Sequence, residues 1–67
     1  MVVYAIWNIR YGVFLRWGID GGGKEGYCMF RGHRCFFCTR RSAESVISMF
    51  ECPEDFEVRR FVEMDGD

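Results

Sequence analysis

The sequence predicts a small α+β domain in which one helix packs on one face of an antiparallel sheet of three to five strands, in the order ββ(β)βαβ. Two observations support this prediction. One short segment carries apolar residues at helical spacing, and three segments, 2–9, 13–19 and 56–64, are rich in β-branched and aromatic residues. Since 67 residues leave room for one hydrophobic core, we expect residues 1–67 to form a single domain.

The first two strand segments predict a hairpin. Residues 2–9 and 13–19 are joined by Arg10, Tyr11 and Gly12, a short link whose glycine favours a tight turn. Alternation in the second segment predicts that one face carries Val13, Leu15, Trp17 and Ile19.

Glycine dominates the segment that follows, so residues 20–26 are predicted to be a flexible connector. Gly18 to Lys24 also has the spacing of a phosphate-binding loop. That motif requires a Ser or Thr after the lysine to hold magnesium, and Glu25 stands there. The chain also lacks the strand–loop–helix context of the motif, so we favour the connector.

Residues 26–37 are apolar at both ends, with a turn expected at Gly32 and His33. The pattern fits two short strands and a single bulged strand equally well. The sequence leaves both possibilities open.

The helix is predicted from Ala43, Val46, Ile47 and Phe50, which lie at i, i+3, i+4 and i+7. Thr39 occupies the expected N-cap position. Pro53 cannot continue the helix, which should therefore end near Glu51 or Cys52. The last strand, over residues 56–64, alternates Phe56, Val58, Val62 and Met64 with more polar positions.

Four cysteines and one histidine raise the question of a metal site. Cys28, Cys35, Cys38, Cys52 and His33 offer enough soft or imidazole ligands for tetrahedral zinc. Only Cys35 and Cys38 form a close pair, however, and free cysteine often behaves as a small buried hydrophobe. We therefore expect buried thiols and no metal or cofactor, with a zinc-stabilised module as an alternative. Cys38 and His33 also offer a nucleophile and a base, but the sequence does not fix the distance between them and a domain this small leaves little room for a substrate pocket, so we expect no enzyme.

Charge and hydropathy limit the classes of partner that we expect. The net charge of −1 combines +5 in residues 1–42 with −6 in residues 43–67, which favours mutual neutralisation over a strongly basic, nucleic-acid-binding surface. Asn8, Arg10 and Arg16 interrupt the apolar start, so neither a signal peptide nor a membrane span is predicted. We expect a cytoplasmic protein with reduced thiols.

Apolar residues occupy both faces of the predicted strands, and one helix covers only one face of a sheet. We therefore expect the other face to be covered by a second copy or by another protein, unless residues 26–37 fold back over it. The candidate partner-binding residues are Tyr4, Phe14, Arg16, Phe61, Glu54, Asp55, Glu57 and Glu63. The acidic members of this set, together with Glu51 and Asp65, are candidates for imitating a phosphate path toward a nucleic-acid-binding host protein.

A basic and aromatic segment supports an alternative function, a small nucleic-acid-binding regulator. Guanidinium groups would contact phosphates and rings would stack on bases. The residues concerned are Arg31, Arg34, Arg40 and Arg41, interleaved with Phe30, Phe36 and Phe37.

One pattern spans most of the chain. It consists of Tyr4, Ile6, Asn8, Gly12, Phe14 and Leu15, then Phe37, Thr39, Ala43 and Glu44, and finally Glu57 and Val58. In this pattern the chain resembles small phage and prophage accessory proteins, including anti-CRISPR proteins. The resemblance implies a non-enzymatic protein of phage or mobile-element type that binds and inhibits a host protein, such as a CRISPR defence complex, in the host cytoplasm. Together with the uncovered sheet face, it leads us to expect a homodimer.

Overall fold

A computed structural model describes residues 1–19 and 22–62. The elements in these ranges are β1 (Val2–Asn8), β2 (Val13–Phe14), β3 (Arg16–Ile19), β4 (Glu25–Cys28), β5 (His33–Arg34), α1 (Arg40–Ser48) and β6 (Phe56–Val62). A 3₁₀ turn over Pro53–Asp55 leads into β6. All strand pairs are antiparallel, which confirms the predicted α+β class.

The strands form two sheets rather than the single predicted sheet. The first sheet has the order β2-β1-β6 and the second has the order β4-β3-β5. The chain passes between them at Leu15, whose amide donates to the Ile6 carbonyl at 2.8 Å while its carbonyl accepts from the Cys35 amide at 3.2 Å. The predicted strand 13–19 is therefore divided, because Leu15 bonds to a different neighbour on each side.

Asn8 and Gly12 shape the turn after β1, where a turn was predicted. Gly12 has a φ of +66° and its amide donates to the Asn8 carbonyl at 2.9 Å. The side-chain oxygen of Asn8 accepts from the Tyr11 amide at 2.8 Å, which accounts for a polar side chain that is almost fully buried.

The second sheet shows that residues 26–37 contain two strands, β4 and β5, which pair with opposite edges of β3. The predicted connector is shorter than residues 20–26, because Glu25 and Gly26 pair in β4. Asp20 and Gly21 lie outside the described residues. Gly18 thus lies within β3 and Lys24 directly precedes β4, so the two residues flank a connection between antiparallel strands and lack the strand–loop–helix context of a phosphate-binding loop.

Thr39 caps α1 as predicted, with its side-chain oxygen accepting from the Ser42 amide at 3.1 Å. The helix ends at Ser48, before the expected Glu51 or Cys52. The reason is local: the Met49 and Phe50 amides bond three residues back, to Val46 and Ile47, so the last turn tightens to 3₁₀ geometry.

The core lies between α1 and the first sheet. Ile6, Leu15 and Ala43 form its fully buried centre. The residues packed against this centre are Tyr4, Met29, Phe37, Val46, Ile47, Phe50, Phe56 and Val58. Large apolar side chains remain exposed outside this core, among them Tyr11, Phe30, Phe36 and Met49.

The predicted apolar face of residues 13–19 is only partly buried. Leu15 is fully buried, whereas Trp17 is 44% exposed and Ile19 is more exposed still. Alternation predicts the direction in which these side chains point, but Trp17 and Ile19 lie in the second sheet, beyond the core centred on Ala43.

Candidate interaction surface

Alternation in β1 divides the first sheet into two faces. Ile6 packs on Ala43 of α1, so Tyr4, Ile6 and Asn8 point toward the helix. Val3, Ala5 and Trp7 consequently point to the opposite side.

Strand register extends this opposite side across the sheet. Phe14 lies opposite Trp7, Arg59 lies opposite Ala5 and Phe61 lies opposite Val3. Directly opposed residues of an antiparallel pair share a face. We define the open face by six residues of this side: Trp7, Phe14, Arg34, Glu57, Arg59 and Phe61.

Three aromatic rings form the centre of the open face. The centroids of Trp7 and Phe14 lie 4.7 Å apart in an edge-to-face arrangement, and those of Phe14 and Phe61 lie 5.6 Å apart. Ala5, between Val3 and Trp7 on the same side of β1, is fully buried. The rings thus shield the sheet backbone without help from the helix, while keeping surface exposed to solvent.

Two guanidinium groups lie on these rings. That of Arg34 is 4.2 Å from the centroid of Phe14, and that of Arg59 is 4.9 Å from the centroid of Trp7. Both distances are in the range of a cation–π interaction. Arg59 also forms an ion pair with Glu57, two residues earlier on the same strand. The open face is therefore an ordered array of rings and arginines.

The open face and its margin carry more positive than negative charge. Arg16 lies directly opposite Arg34 in the β3–β5 pair, and its Nη1 donates to the Gly32 carbonyl at 3.2 Å. On this side, the positive charges of Arg16, Arg34 and Arg59 exceed the negative charge of Glu57. An acidic partner surface would complement this charge.

Four of the predicted partner-binding residues lie at this surface. Phe14, Glu57 and Phe61 belong to the open face, and Arg16 lies at its margin. Tyr4 does not, because it points toward α1, packs on the core and has the Arg40 guanidinium 5.5 Å from its ring.

The predicted acidic residues do not form one free surface. Asp55 forms an ion pair with Arg10 at 4.0 Å, and Glu57 pairs with Arg59. Glu54 is exposed in the 3₁₀ turn, and Glu63 lies outside the described residues. Ion pairing offsets two of the charges on which imitation of a phosphate path depends.

Sequence reasoning did not place Trp7, Arg34 and Arg59 among the partner-binding residues. The signal for Arg59 was present, because it shares strand parity with the selected Glu57. The residue selected on β1 was Tyr4, whose parity is opposite to that of Trp7. Arg34 had no comparable signal. It reaches Phe14 only because the backbone hydrogen bonds of Leu15, to Ile6 and to Cys35, hold β3 and β5 beside the first sheet.

The basic and aromatic segment proposed for nucleic acid is divided by the fold. Arg34 lies on Phe14 on the open face, whereas Arg40 lies near Tyr4 on the helix side. Phe37 packs on the core, and its backbone pairs with Tyr4 of β1. These residues therefore do not form the single patch that the sequence suggested.

The four cysteines are free and do not come together at one site. Cys38 and Cys52 are exposed, which contradicts the expectation that they are buried, while Cys28 and Cys35 are half-buried. Burial raises the pKa of the Cys35 thiol, and the neighbouring Cys28 raises it further. The described residues contain no group of three or more His, Cys, Asp or Glu side chains that would hold a metal ion. The zinc alternative therefore lacks a ligand set in this part of the chain.

The described ranges also contain no pocket. None of their helices has the length and apolar character that crossing a bilayer requires.

Comparison with known proteins identifies no relative: no family model matches the chain, and neither a curated protein nor a solved structure is detectably similar to it. We therefore infer function from the open face, the strand edges and the sequence pattern.

Proposed function

We propose that this chain is a non-enzymatic binding protein that contacts a partner protein through the open face. One observation carries the proposal: on the uncovered side of the first sheet the Phe14 ring contacts the rings of Trp7 and Phe61. Arg34 lies on the Phe14 ring and Arg59 on the Trp7 ring. Aromatic residues and arginine are enriched at protein interfaces and dominate their binding energy.

The order of the open face supports binding. A side chain immobilised at an interface costs about 0.5–1.5 kcal/mol in lost rotamer freedom. The contacts of Arg34 with Phe14, and of Arg59 with Trp7 and Glu57, restrict both arginines before a partner arrives. The free chain therefore already has part of the side-chain order that binding requires, and less rotamer freedom is lost when the partner binds.

The positive excess of Arg16, Arg34 and Arg59 over Glu57 favours a partner with an acidic surface. The resemblance to phage and prophage accessory proteins supports a host protein as that partner, and a CRISPR defence complex is the class it suggests. On this proposal the chain acts in the host cytoplasm and inhibits the protein it binds.

The experiment compares variants at two exposed positions for binding to a partner isolated from a bacterial lysate and then purified. Arg34→Ala removes a guanidinium from the open face, and Trp17→Ala removes an exposed ring from the second sheet. We expect Arg34→Ala to raise Kd by about thirtyfold, the effect of an interface hot spot, and Trp17→Ala to leave it within about threefold. Equal affinities for the two variants, with both folded by circular dichroism, would refute the role of the open face.

A second candidate function is binding of single-stranded nucleic acid. Arg16, Arg34 and Arg59 border the three rings, and stacked bases beside neutralised phosphates need such a combination. Fluorescence anisotropy with a labelled oligothymidine at increasing salt separates the candidates. A nucleic-acid complex weakens steeply as salt rises, whereas a protein interface centred on buried rings changes little. Absence of binding at low salt eliminates this candidate.

A further inference from the structure

The outer edge of β6 differs from the other sheet edges. In the described ranges, β6 pairs with β1 on one side only, and its seven residues form the terminal strand of the first sheet. The other terminal strands are short: β2 and β5 have two residues each, and β4 has four. Short edge strands are one way in which proteins avoid pairing with another chain. β6 lacks this protection.

Two further protective features, a proline and a bulge, are missing from β6, whose remaining protection is its charged residues. It contains no proline, and its register with β1 runs without a bulge from Val62 opposite Val2 to Phe56 opposite Asn8. The strand therefore presents a continuous row of backbone groups to a further strand. A long edge of this kind is a template for pairing.

We propose that a second copy of this chain pairs with β6 through its own β6, with Val58 opposite the partner's Val58. Antiparallel pairing of two identical strands places a twofold axis at one residue, because directly opposed side chains lie on the same face. The result is a sheet of six strands, β2-β1-β6 followed by the same strands of the second copy. Both open faces lie on the same side of this sheet.

Charge complementarity selects this register. With Val58 on the axis, Glu57 lies opposite the partner's Arg59, and Arg59 lies opposite the partner's Glu57. The intrachain Glu57–Arg59 pair thereby becomes a square of four alternating charges. On the other face, Phe56 lies opposite the partner's Arg60.

Neighbouring registers are unfavourable. An axis at Glu57, Arg59 or Arg60 places that residue directly opposite its own copy, and like charges in this position destabilise a strand pair. An axis at Phe61 pairs only residues 60–62 of β6, whereas an axis at Val58 pairs residues 56–60. The strand that pairs with the outer edge of β6 is therefore β6 of a second copy, in the register that places Val58 opposite the partner's Val58. This inference does not depend on the open face, which the pairing leaves uncovered.

The test uses the full chain under reducing conditions, with self-association measured by sedimentation equilibrium. We expect the wild type to dimerise and Glu57→Arg or Arg59→Glu to raise the dimer Kd at least about tenfold, because each places like charges across the interface. The double variant E57R/R59E restores opposite charges and should return to within about threefold of the wild type. Glu54→Arg makes the same charge change outside β6 and should have no effect.

A measurement on the wild-type chain keeps the test independent of variant folding. In a mixture of isotope-labelled and unlabelled chains, nuclear Overhauser contacts between copies should join the Phe56 ring to the side chain of Arg60. A monomer at every concentration overturns the proposal. So does a dimer that lacks this contact, or one that responds equally to Glu57→Arg and Glu54→Arg.

Discussion

A β-carbon on Gly32 would overlap the carbonyl oxygen of Trp17, in the strand beside it. Gly32 also has a φ of +87°, which side chains rarely adopt. The approach is mutual, since a β-carbon on Gly18 would lie 3.1 Å from the α-carbon of Gly32. The turn between β4 and β5 can therefore close against β3 only while position 32 is glycine.

Gly32→Ala should accordingly destabilise the fold by more than backbone strain alone. Gly23 provides the control, because its φ is +82° but a β-carbon there would meet nothing within 4 Å. We expect Gly23→Ala to cost about 1–2 kcal/mol and Gly32→Ala about 3 kcal/mol or more, measured by urea unfolding. Gly26→Ala, with open space and no positive φ, should be nearly neutral. Similar losses for Gly23→Ala and Gly32→Ala would show that the overlap with Trp17 is relieved by backbone movement.

Asn8→Ala should destabilise the hairpin turn. The Asn8 side chain is 2% exposed, accepts from the Tyr11 amide and donates to the Met29 sulfur at 3.5 Å. Its removal leaves the Tyr11 amide without this acceptor, at an expected cost of about 1–3 kcal/mol in the free energy of unfolding. Asn8→Asp keeps the acceptor but buries a charge, so its stability should recover toward the wild-type value as pH falls and the carboxyl is protonated. A pH-independent loss for Asn8→Asp would contradict this account.

Thr39→Ala should remove the N-cap of α1 at a cost of about 1 kcal/mol. Thr39→Asp keeps the acceptor and adds a negative charge beside a first turn that has no acidic residue and begins with Arg40 and Arg41. We therefore expect Thr39→Asp to equal or exceed wild-type stability by a few tenths of a kcal/mol at low salt. Thermal melts at low and high salt measure both effects. A destabilised Thr39→Asp would contradict the capping geometry.

Leu15→Ala and Trp17→Ala compare two apolar residues on the same side of one chain segment. Leu15 is fully buried where the chain changes sheets, so its truncation should cost about 2–5 kcal/mol. Trp17 retains an edge-to-face contact with Tyr27 at 4.9 Å but is 44% exposed, so its truncation should cost no more than about 1.5 kcal/mol. The two free energies of unfolding test whether Leu15, rather than the larger ring, is the central core residue.

Alkaline pH should destabilise the chain in part through Cys35. Burial and the neighbouring Cys28 raise the pKa of Cys35 in the folded state, so the folded chain keeps a proton that the unfolded chain releases. The resulting stabilisation is complete below the unfolded-state thiol pKa and is lost as pH rises through the folded-state pKa. Cys35→Ala should therefore show a shallower loss of unfolding free energy between neutral and alkaline pH than the wild type. Cys52→Ala, at an exposed position away from Cys35, is the control for loss of a thiol.

Local sequence signals predicted most of the individual elements. The Ala43, Val46, Ile47 and Phe50 stripe, the Thr39 cap and the turn at Gly12 correspond to α1 and the first hairpin. The predicted end of α1, near Glu51 or Cys52, lies beyond the observed end at Ser48. The 3₁₀ hydrogen bonds that follow Ser48 join backbone groups, and the pattern of apolar residues does not predict them. Alternation also placed Phe61 and Glu57 on one side of the last strand, and the strand register shows that Phe14 lies on the same side of the sheet.

The sequence by itself determined the α+β class, the helix and which side chains share a face, because these follow from the 3.6- and 2-residue periods of short segments. Only the tertiary structure decided that Leu15 divides one predicted strand between two sheets, that Arg34 reaches Phe14, and that Tyr4 belongs to the core rather than the surface. Each of these depends on contacts between residues distant in the chain, whose pairing is set by hydrogen bonds and packing that a local pattern does not encode.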